Sequence, residues 1–305
     1  MPLTRGRFAP SPSGRMHLGN VFTALLAWLS AKSTGGEVVL RIEDLDPARS
    51  RQAYTDALMD DLLWLGLRWD SRAEDQSRRE EAYRVALDAL DRRGLLYPCF
   101  CTRDQLHAAS APHASDGRII YAGTCRSLTD AQRAAMDRPC CLRVMAPDRT
   151  IAFRDGLQGP QRMNLAREWG DFIVRRSDGV AAYQLAVVVD DAASDITEVV
   201  RGRDLLSSTP VQLWLYEALG LKAPSFCHVP MLMSPEGRRL SKRERALEIG
   251  EIRKRHSPEA VVGDLAWRCG LIDRPEPVSP RELASEFDWN RVRPGDIVID
   301  ERDWL

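Results

Sequence analysis

The chain has 305 residues, 44% hydrophobic and 29% charged, with 43 Lys plus Arg against 44 Asp plus Glu and a formal net charge of −1. That length can bury a full core and points to one large domain carrying an insertion or a small companion domain, while the near-neutral balance excludes a global pull on nucleic acid. No apolar run approaches bilayer length, no signal core follows the first basic residues, and seven unevenly spaced cysteines argue against a disulfide framework, so a cytoplasmic protein without a membrane partner is expected.

Residues 5–9 read as a short strand, followed by a polar turn containing Pro10 and Pro12. From Leu18 onward Val21, Phe22, Leu25, Leu26 and Leu29 recur at helical spacing, and Gly35-Gly36 stops the helix. Residues 37–42 (EVVLRI) read as a second, buried strand. This strand–helix–strand unit is the opening of a doubly wound, Rossmann-like α/β fold with a parallel sheet. Helices follow over 50–65, with Tyr54, Leu58, Leu62 and Leu65 on one face, and over 77–93, stopped by Gly94. From Cys99 to Gly179 the pattern loosens into short strands, turns and one helix, as an insertion does. The α/β signal resumes at 183–189 (YQLAVVV) and 197–201. A helix opens at Thr209-Pro210, closes at Gly220, and gives way to a last strand over 226–233. After Lys242 the chain reads as mostly helical, with Ser257-Pro258-Glu259 and Ser279-Pro280-Arg281-Glu282 as helix starts.

Two stretches carry nucleotide chemistry. The segment from Phe8 to Asn20 joins a strand to a helix, and a helix start offers unsatisfied N–H groups and a positive dipole end, which suit phosphate. His17 and Asn20 add donors there, and Gly19 allows close approach. Neither GxxxxGK[ST] nor GxGxxG occurs, which excludes the two commonest phosphate loops. Alone, this is a turn with a surface histidine. The second stretch, Arg238-Arg239-Leu240-Ser241-Lys242-Arg243, follows a strand and a Pro-Glu-Gly turn; alone, it is a solvated basic loop. In this order on an α/β frame the two resemble the HIGH and KMSKS signatures of class I aminoacyl-tRNA synthetases. Arg7-Phe8-Ala9-Pro10-Ser11-Pro12-Ser13-Gly14, followed by Arg41-Ile42-Glu43-Asp44-Leu45-Asp46, is similar to the glutamyl branch in particular. There are departures: His17-Leu18-Gly19-Asn20 lacks the second histidine of HIGH, and Arg239, Leu240 and Arg243 stand where KMSKS has Lys, Met and Ser.

The resemblance implies an ATP site, used with Mg²⁺, made of His17, Gly19, Asn20, Ser241 and Lys242, with His17 and Lys242 catalytic. It implies an L-glutamate site made of Arg7, Ser11, Glu43, Tyr183 and Arg201. The chemistry suits these types: arginine forks capture carboxylates, a carboxylate holds an ammonium, and a phenol donates a hydrogen bond. Taken singly, Arg7 and Arg201 read as surface ion-pair partners and Glu43 as a cap for the next turn. In the insertion, Cys99-x-Cys101 and Tyr121-x3-Cys125 offer three sulfurs and an oxygen for a tetrahedral zinc. Cys140, Cys141, His107 and His113 are alternative ligands, and free buried thiols are the plainer reading. The resemblance implies the Cys99, Cys101, Tyr121, Cys125 set and one structural Zn²⁺ per chain.

The expected division is 1–98 for the first half of the catalytic domain and 99–180 for the inserted zinc-binding subdomain. Residues 181–243 form its second half and 244–305 a short C-terminal helical region. About sixty residues follow Lys242, too few for an anticodon-reading module. The chain thus resembles a truncated branch, the glutamyl-queuosine tRNA(Asp) synthetases. This implies a monomer that activates glutamate without tRNA and attaches it to the queuosine base in the anticodon of tRNA(Asp). Three readings stay open beside it: a glutamyl- or glutaminyl-tRNA synthetase core charging a tRNA 3′ end, a non-catalytic regulatory paralogue that binds nucleotide or tRNA, and a nucleotidylyltransferase of the same superfamily.

Overall fold

In the computed structural model, which describes residues 3–102, 105, 120–240 and 247–304, β1 (Arg5–Phe8) leads into α1 (Leu18–Ser33) and back to β2 (Glu37–Leu40). The apolar residues that set the helical spacing, Leu18, Val21, Phe22, Leu25, Leu26 and Leu29, are all buried. Gly36 lets β2 start beside β1, because a Cβ there would stand 2.0 Å from the Thr4 carbonyl oxygen. β1 and β2 are parallel, and β3 (Ser71–Arg72) extends the sheet in the same sense after α2 (Gln52–Trp64). α3 (Glu80–Arg92) then leads out toward the insertion.

The insertion holds an antiparallel sheet of β4 (Leu96–Cys99), β5 (Cys141–Val144) and β8 (Phe172–Arg175). Beside it lies the hairpin of β6 (Thr150–Asp155) and β7 (Gly159–Asn164). The parallel frame resumes with β9 (Glu198–Gly202) and β10 (Ser225–Val229), a parallel pair joined through the helix Thr209–Leu219. Thr197 N–H donates to the Arg5 carbonyl at 2.9 Å, and Arg5 N–H donates to Thr197 Oγ1 at 2.8 Å, so β9 is docked along β1. The strands therefore run β3-β2-β1-β9-β10. From β1 the chain goes one way across the sheet and from β9 the other, which makes the carboxyl ends of β1 and β9 the switch point where doubly wound sheets bind ligands.

The valine-rich run 183–189, where the α/β signal resumes, lies inside the helix Tyr183–Ala193; Leu185, Ala186, Val187 and Val188 are buried together, and a helix covered on several sides shows no polar face to betray its period. One segment differs from its sequence appearance. The expected strand over 226–233 breaks at Pro230, which has no N–H for a ladder. β11 (Leu232–Met233) instead pairs with β12 (Ile297–Val298). Ser257 and Ser279 do cap helices, Pro258–Cys269 and Pro280–Ser285, each with proline in the first turn. Val261, Val262, Leu265 and Ala266 join the core beneath α1. Among the described residues no helix is long and apolar enough to cross a membrane.

Candidate active site

A cavity of about 500 Å³ opens at the β1–β9 switch point, lined by Arg7, Ser11, His17, Gly19, Asn20, Glu43, Tyr183 and Arg201. Every described residue expected for ATP or glutamate is thus in one place. Ser241 and Lys242 lie outside the described residues, as do the alternative metal ligands His107 and His113. The chain on either side of 241–246 is nonetheless held at the cavity: Arg239 and Leu240 line it, and Glu248 bridges to His17 while Ile249 N–H donates to the Met16 carbonyl at 2.9 Å.

His17 caps α1. Its Nδ1 accepts from Gly19 N–H at 3.1 Å, and Asn20 Oδ1 accepts from His17 N–H at 3.2 Å, closing a capping box. This cap uses the acceptor atoms of both side chains, so the Asn20 amide faces outward from it only as a donor. The first turn of α1 carries no acidic residue. Donors at a helix start without acid are an anion-binding arrangement. A Cβ on Gly19 would meet His17 Cε1 at 2.9 Å, so the glycine makes room for the capping imidazole, a nearer demand than the close ligand approach expected of it.

The arginines do not sit on the surface as they read when taken singly: Arg7 is 5% and Arg201 4% exposed. Arg7 Nε approaches Asp191 Oδ1 at 3.4 Å and its Nη1 donates to the Val200 carbonyl at 3.2 Å. Arg41 Nη1 donates to the same Asp191 oxygen at 2.5 Å, and its Nη2 donates to Glu43 Oε1 at 3.1 Å. Burial pushes the Asp191 carboxyl up, but Arg41 and Arg7 outweigh it and hold the group below the ordinary range. For Glu43, burial prevails over the same two arginines and raises the pKa. Glu43 is therefore a carboxylate paired with Arg41 on one side and lining the cavity. Tyr183 stands at the start of its helix with no hydrogen-bond partner for its hydroxyl among the described residues, and burial raises its pKa.

Arg201 is the cation that differs. Its Nε donates to His228 Nε2 at 3.0 Å, Nη1 to Gln212 Oε1 at 2.8 Å, and Nη2 to Thr209 Oγ1 at 2.9 Å and the Leu205 carbonyl at 3.4 Å. All four partners are uncharged or neutral, and among the described residues no carboxylate pairs with it. The sequence reading missed this shell, along with Asp191; adjacent aspartates closing an apolar run, Asp190-Asp191, were the available signal.

In the insertion, the Cys99, Cys101 and Cys125 sulfurs lie within 4.8 Å of one another. Cys101 and Cys125 Sγ are 3.6 Å apart, close to the separation of two thiolates on one tetrahedral zinc. The Tyr121 hydroxyl lies 3.4 Å from Cys99 Sγ and 3.5 Å from Cys101 Sγ and accepts from Cys125 N–H at 2.9 Å. Cys141 stands opposite Cys99 across β4 and β5, with Sγ directed to the Cys99 carbonyl at 3.5 Å, and is not one of the clustered three.

The comparisons with known proteins give the class to which this fold and cavity belong. Residues 4–301 match the family described as tRNA synthetases class I (E and Q), catalytic domain. The chain is 52% identical over 302 residues to a glutamyl-Q tRNA(Asp) synthetase of Symbiobacterium thermophilum, covering 94% of this chain and 93% of that protein. It is 47% identical over 293 residues to a protein of the same name from Nitratidesulfovibrio vulgaris, covering 92% and 90%. The crystal structure of a glutamate tRNA ligase from Elizabethkingia meningosepticum in complex with its amino acid superposes with a TM-score of 0.84 at 29% identity, covering 98% of this chain and 68% of that one. The chain belongs to the class I tRNA synthetases of the glutamyl type, in their glutamyl-Q tRNA(Asp) synthetase branch.

Proposed function

We propose that the chain activates L-glutamate with ATP and transfers it to the queuosine base in the anticodon of tRNA(Asp). One observation carries the amino-acid assignment: the buried Arg201 cation, without a carboxylate partner among the described residues, shares its cavity with Glu43, Tyr183 and the start of α1. A dicarboxylic amino acid matches these groups: one carboxylate for Arg201, the ammonium for Glu43, and the α-carboxylate left near the nucleotide end beside Arg7 and Ser11. The acceptor assignment is supported by the similarity to relatives named for it.

No general base is needed for the first step. The α-carboxylate is already an anion at neutral pH; its oxygen bonds to the α-phosphorus of ATP and pyrophosphate leaves. His17, the Asn20 amide and Lys242 stabilise charge on the phosphates, so catalysis rests on positioning and preorganised donors. Mg²⁺ bound with ATP would supply further charge neutralisation there. In the second step a hydroxyl of the acceptor nucleoside attacks the glutamyl-adenylate carbonyl and AMP leaves.

Cys99, Cys101, Cys125 and Tyr121 would hold one structural Zn²⁺, fixing β4 to the turn that carries Cys125. All seven cysteines are free thiols, which suits a reducing cytoplasmic setting. The test is ATP–pyrophosphate exchange with glutamate and with glutamine, with and without tRNA, followed by charging of tRNA(Asp) that has or lacks queuosine. Exchange with glutamate alone and charging only of the modified tRNA are expected; strict tRNA dependence or charging of the 3′ end would overturn the reading.

A further inference from the structure

Behind the arginine of the glutamate cavity lies a buried relay that the activation chemistry does not use. His228, on β10, is fully buried; its Nδ1 bonds Asp155 Oδ2 at 2.6 Å and its backbone N–H donates to Asp155 Oδ1 at 3.1 Å. Asp155, at the end of β6, is 1% exposed, and its Oδ1 also accepts from the Leu157 and Gln158 N–H groups at 3.1 and 2.9 Å. A carboxylate cannot donate, so Nδ1 of His228 carries the proton and Nε2 presents a lone pair. That lone pair receives the Arg201 Nε–H at 3.0 Å, and Thr209 Oγ1 stands 3.2 Å from the same nitrogen. Thr209 Oγ1 in turn accepts from Arg201 Nη2 at 2.9 Å, so arginine, threonine and imidazole form a closed ring.

The buried arginines Arg7, Arg41 and Arg201 are compensated differently. Arg7 and Arg41 have Asp191 in contact, and Arg41 has Glu43 as well. Among the described residues Arg201 meets no carboxylate directly; the nearest in its hydrogen-bonded chain, Asp155, is one neutral ring away. A carboxylate in direct contact would cancel the field of Arg201 at the cavity and remove its preference for an anion. A bare apolar wall would leave the guanidinium unheld and its burial costly. The intervening imidazole avoids both: it fixes the Nε edge of the fork, gives distant compensation, and leaves the charge to be completed by an incoming carboxylate.

We propose that Asp155 and His228 are positioning residues whose relay to Arg201 sets the preference of the cavity for a substrate carboxylate over a carboxamide. This inference rests on the reading of the cavity as a glutamate site.

The test is ATP–pyrophosphate exchange with glutamate and with glutamine on the wild type and on His228→Leu, His228→Gln and Asp155→Asn, with calorimetric titration of glutamate alone and thermal melts on each. In His228→Leu the KM for glutamate is expected to rise about tenfold or more, with the KM for ATP unchanged and kcat within a few-fold. That is the loss of one charge-assisted hydrogen bond's worth of orientation, and the glutamate-to-glutamine ratio falls with it. His228→Gln places an amide oxygen near the imidazole Nε2 and recovers most of the affinity; Asp155→Asn, nearly isosteric, falls between. Should His228→Leu fail to fold, the Asp155→Asn and His228→Gln pair decides. Unchanged KM and selectivity in the folded variants, with only the melting temperature lowered, would overturn the relay while wild-type exchange with glutamate still stands. No wild-type exchange with glutamate would overturn the site reading itself, and the relay with it.

Discussion

Arg239 is ion-paired to Asp204 at 2.6 Å, which ties the residue two before Ser241 to the turn three residues beyond Arg201. The second signature stretch and the amino-acid arginine are thereby linked through one partly exposed contact. Such a pair adds little to stability, on the order of 0–1 kcal/mol. Its effect belongs to the approach of Lys242. Asp204→Ala is expected to raise the KM for ATP several-fold while leaving the KM for glutamate and the melting temperature near wild type. Lys242→Ala should instead lower kcat by roughly a hundredfold or more, the scale of one charge-stabilising donor. Steady-state exchange kinetics on the two variants separate these effects; a lowered kcat in Asp204→Ala with normal ATP affinity would contradict the tether.

Asp61, fully buried on α2, accepts from Arg15 at 2.9 and 3.2 Å and from Arg253 at 2.7 Å. It clamps the loop after β1 to the chain that returns from 241–246. Asp61→Ala leaves two cations beside a buried void. A loss of about 3 kcal/mol or more in urea unfolding is expected. A change under about 1 kcal/mol would show that the clamp is dispensable.

Acid should destabilise the fold through the Asp155–His228 pair. Burial lowers the His228 pKa and prevails over the hydrogen bond that His228 donates to Asp155, so the unfolded chain takes up a proton near about pH 6.5 that the folded chain refuses. Stability therefore falls as pH drops below that value. Burial raises the Asp155 carboxyl, but His228 and the backbone N–H groups outweigh it and hold the group low. Its contribution is present above about pH 4 and is lost as pH falls through the depressed folded value. Glu43, raised by burial, acts with the opposite sign between its ordinary and its folded pKa. Urea midpoints measured from about pH 7 to about pH 5 should decline in the wild type and decline less in His228→Gln. Equal slopes would remove His228 as the source.

The metal site gives a separable outcome. One zinc per chain is expected by elemental analysis, lost together with local order on Cys99→Ser, because the metal stabilises the turn that supplies its ligands. Cys141→Ser should keep the zinc, since its sulfur lies outside the cluster of three. A metal-free chain with wild-type melting would sink the site.

The sequence by itself determined the β1–α1–β2 opening, both signature stretches and the cysteine spacing. Each is local: a 3.6-residue apolar period, a helix start, a pair of thiols one residue apart. It also named the cavity residues, through motif order. What it left undecided is what depends on burial. YQLAVVV reads equally as strand or helix because a segment covered on several sides has no polar face. Arg7 and Arg201 read as surface charges because nothing local announces a carboxylate or an imidazole far along the chain. Asp191 lies 184 residues from Arg7, and Asp155 and His228 are 73 residues apart. Only tertiary packing decided that Arg7 meets a carboxylate while Arg201 meets a neutral ring, and that difference leaves Arg201 with a charge for a ligand to complete.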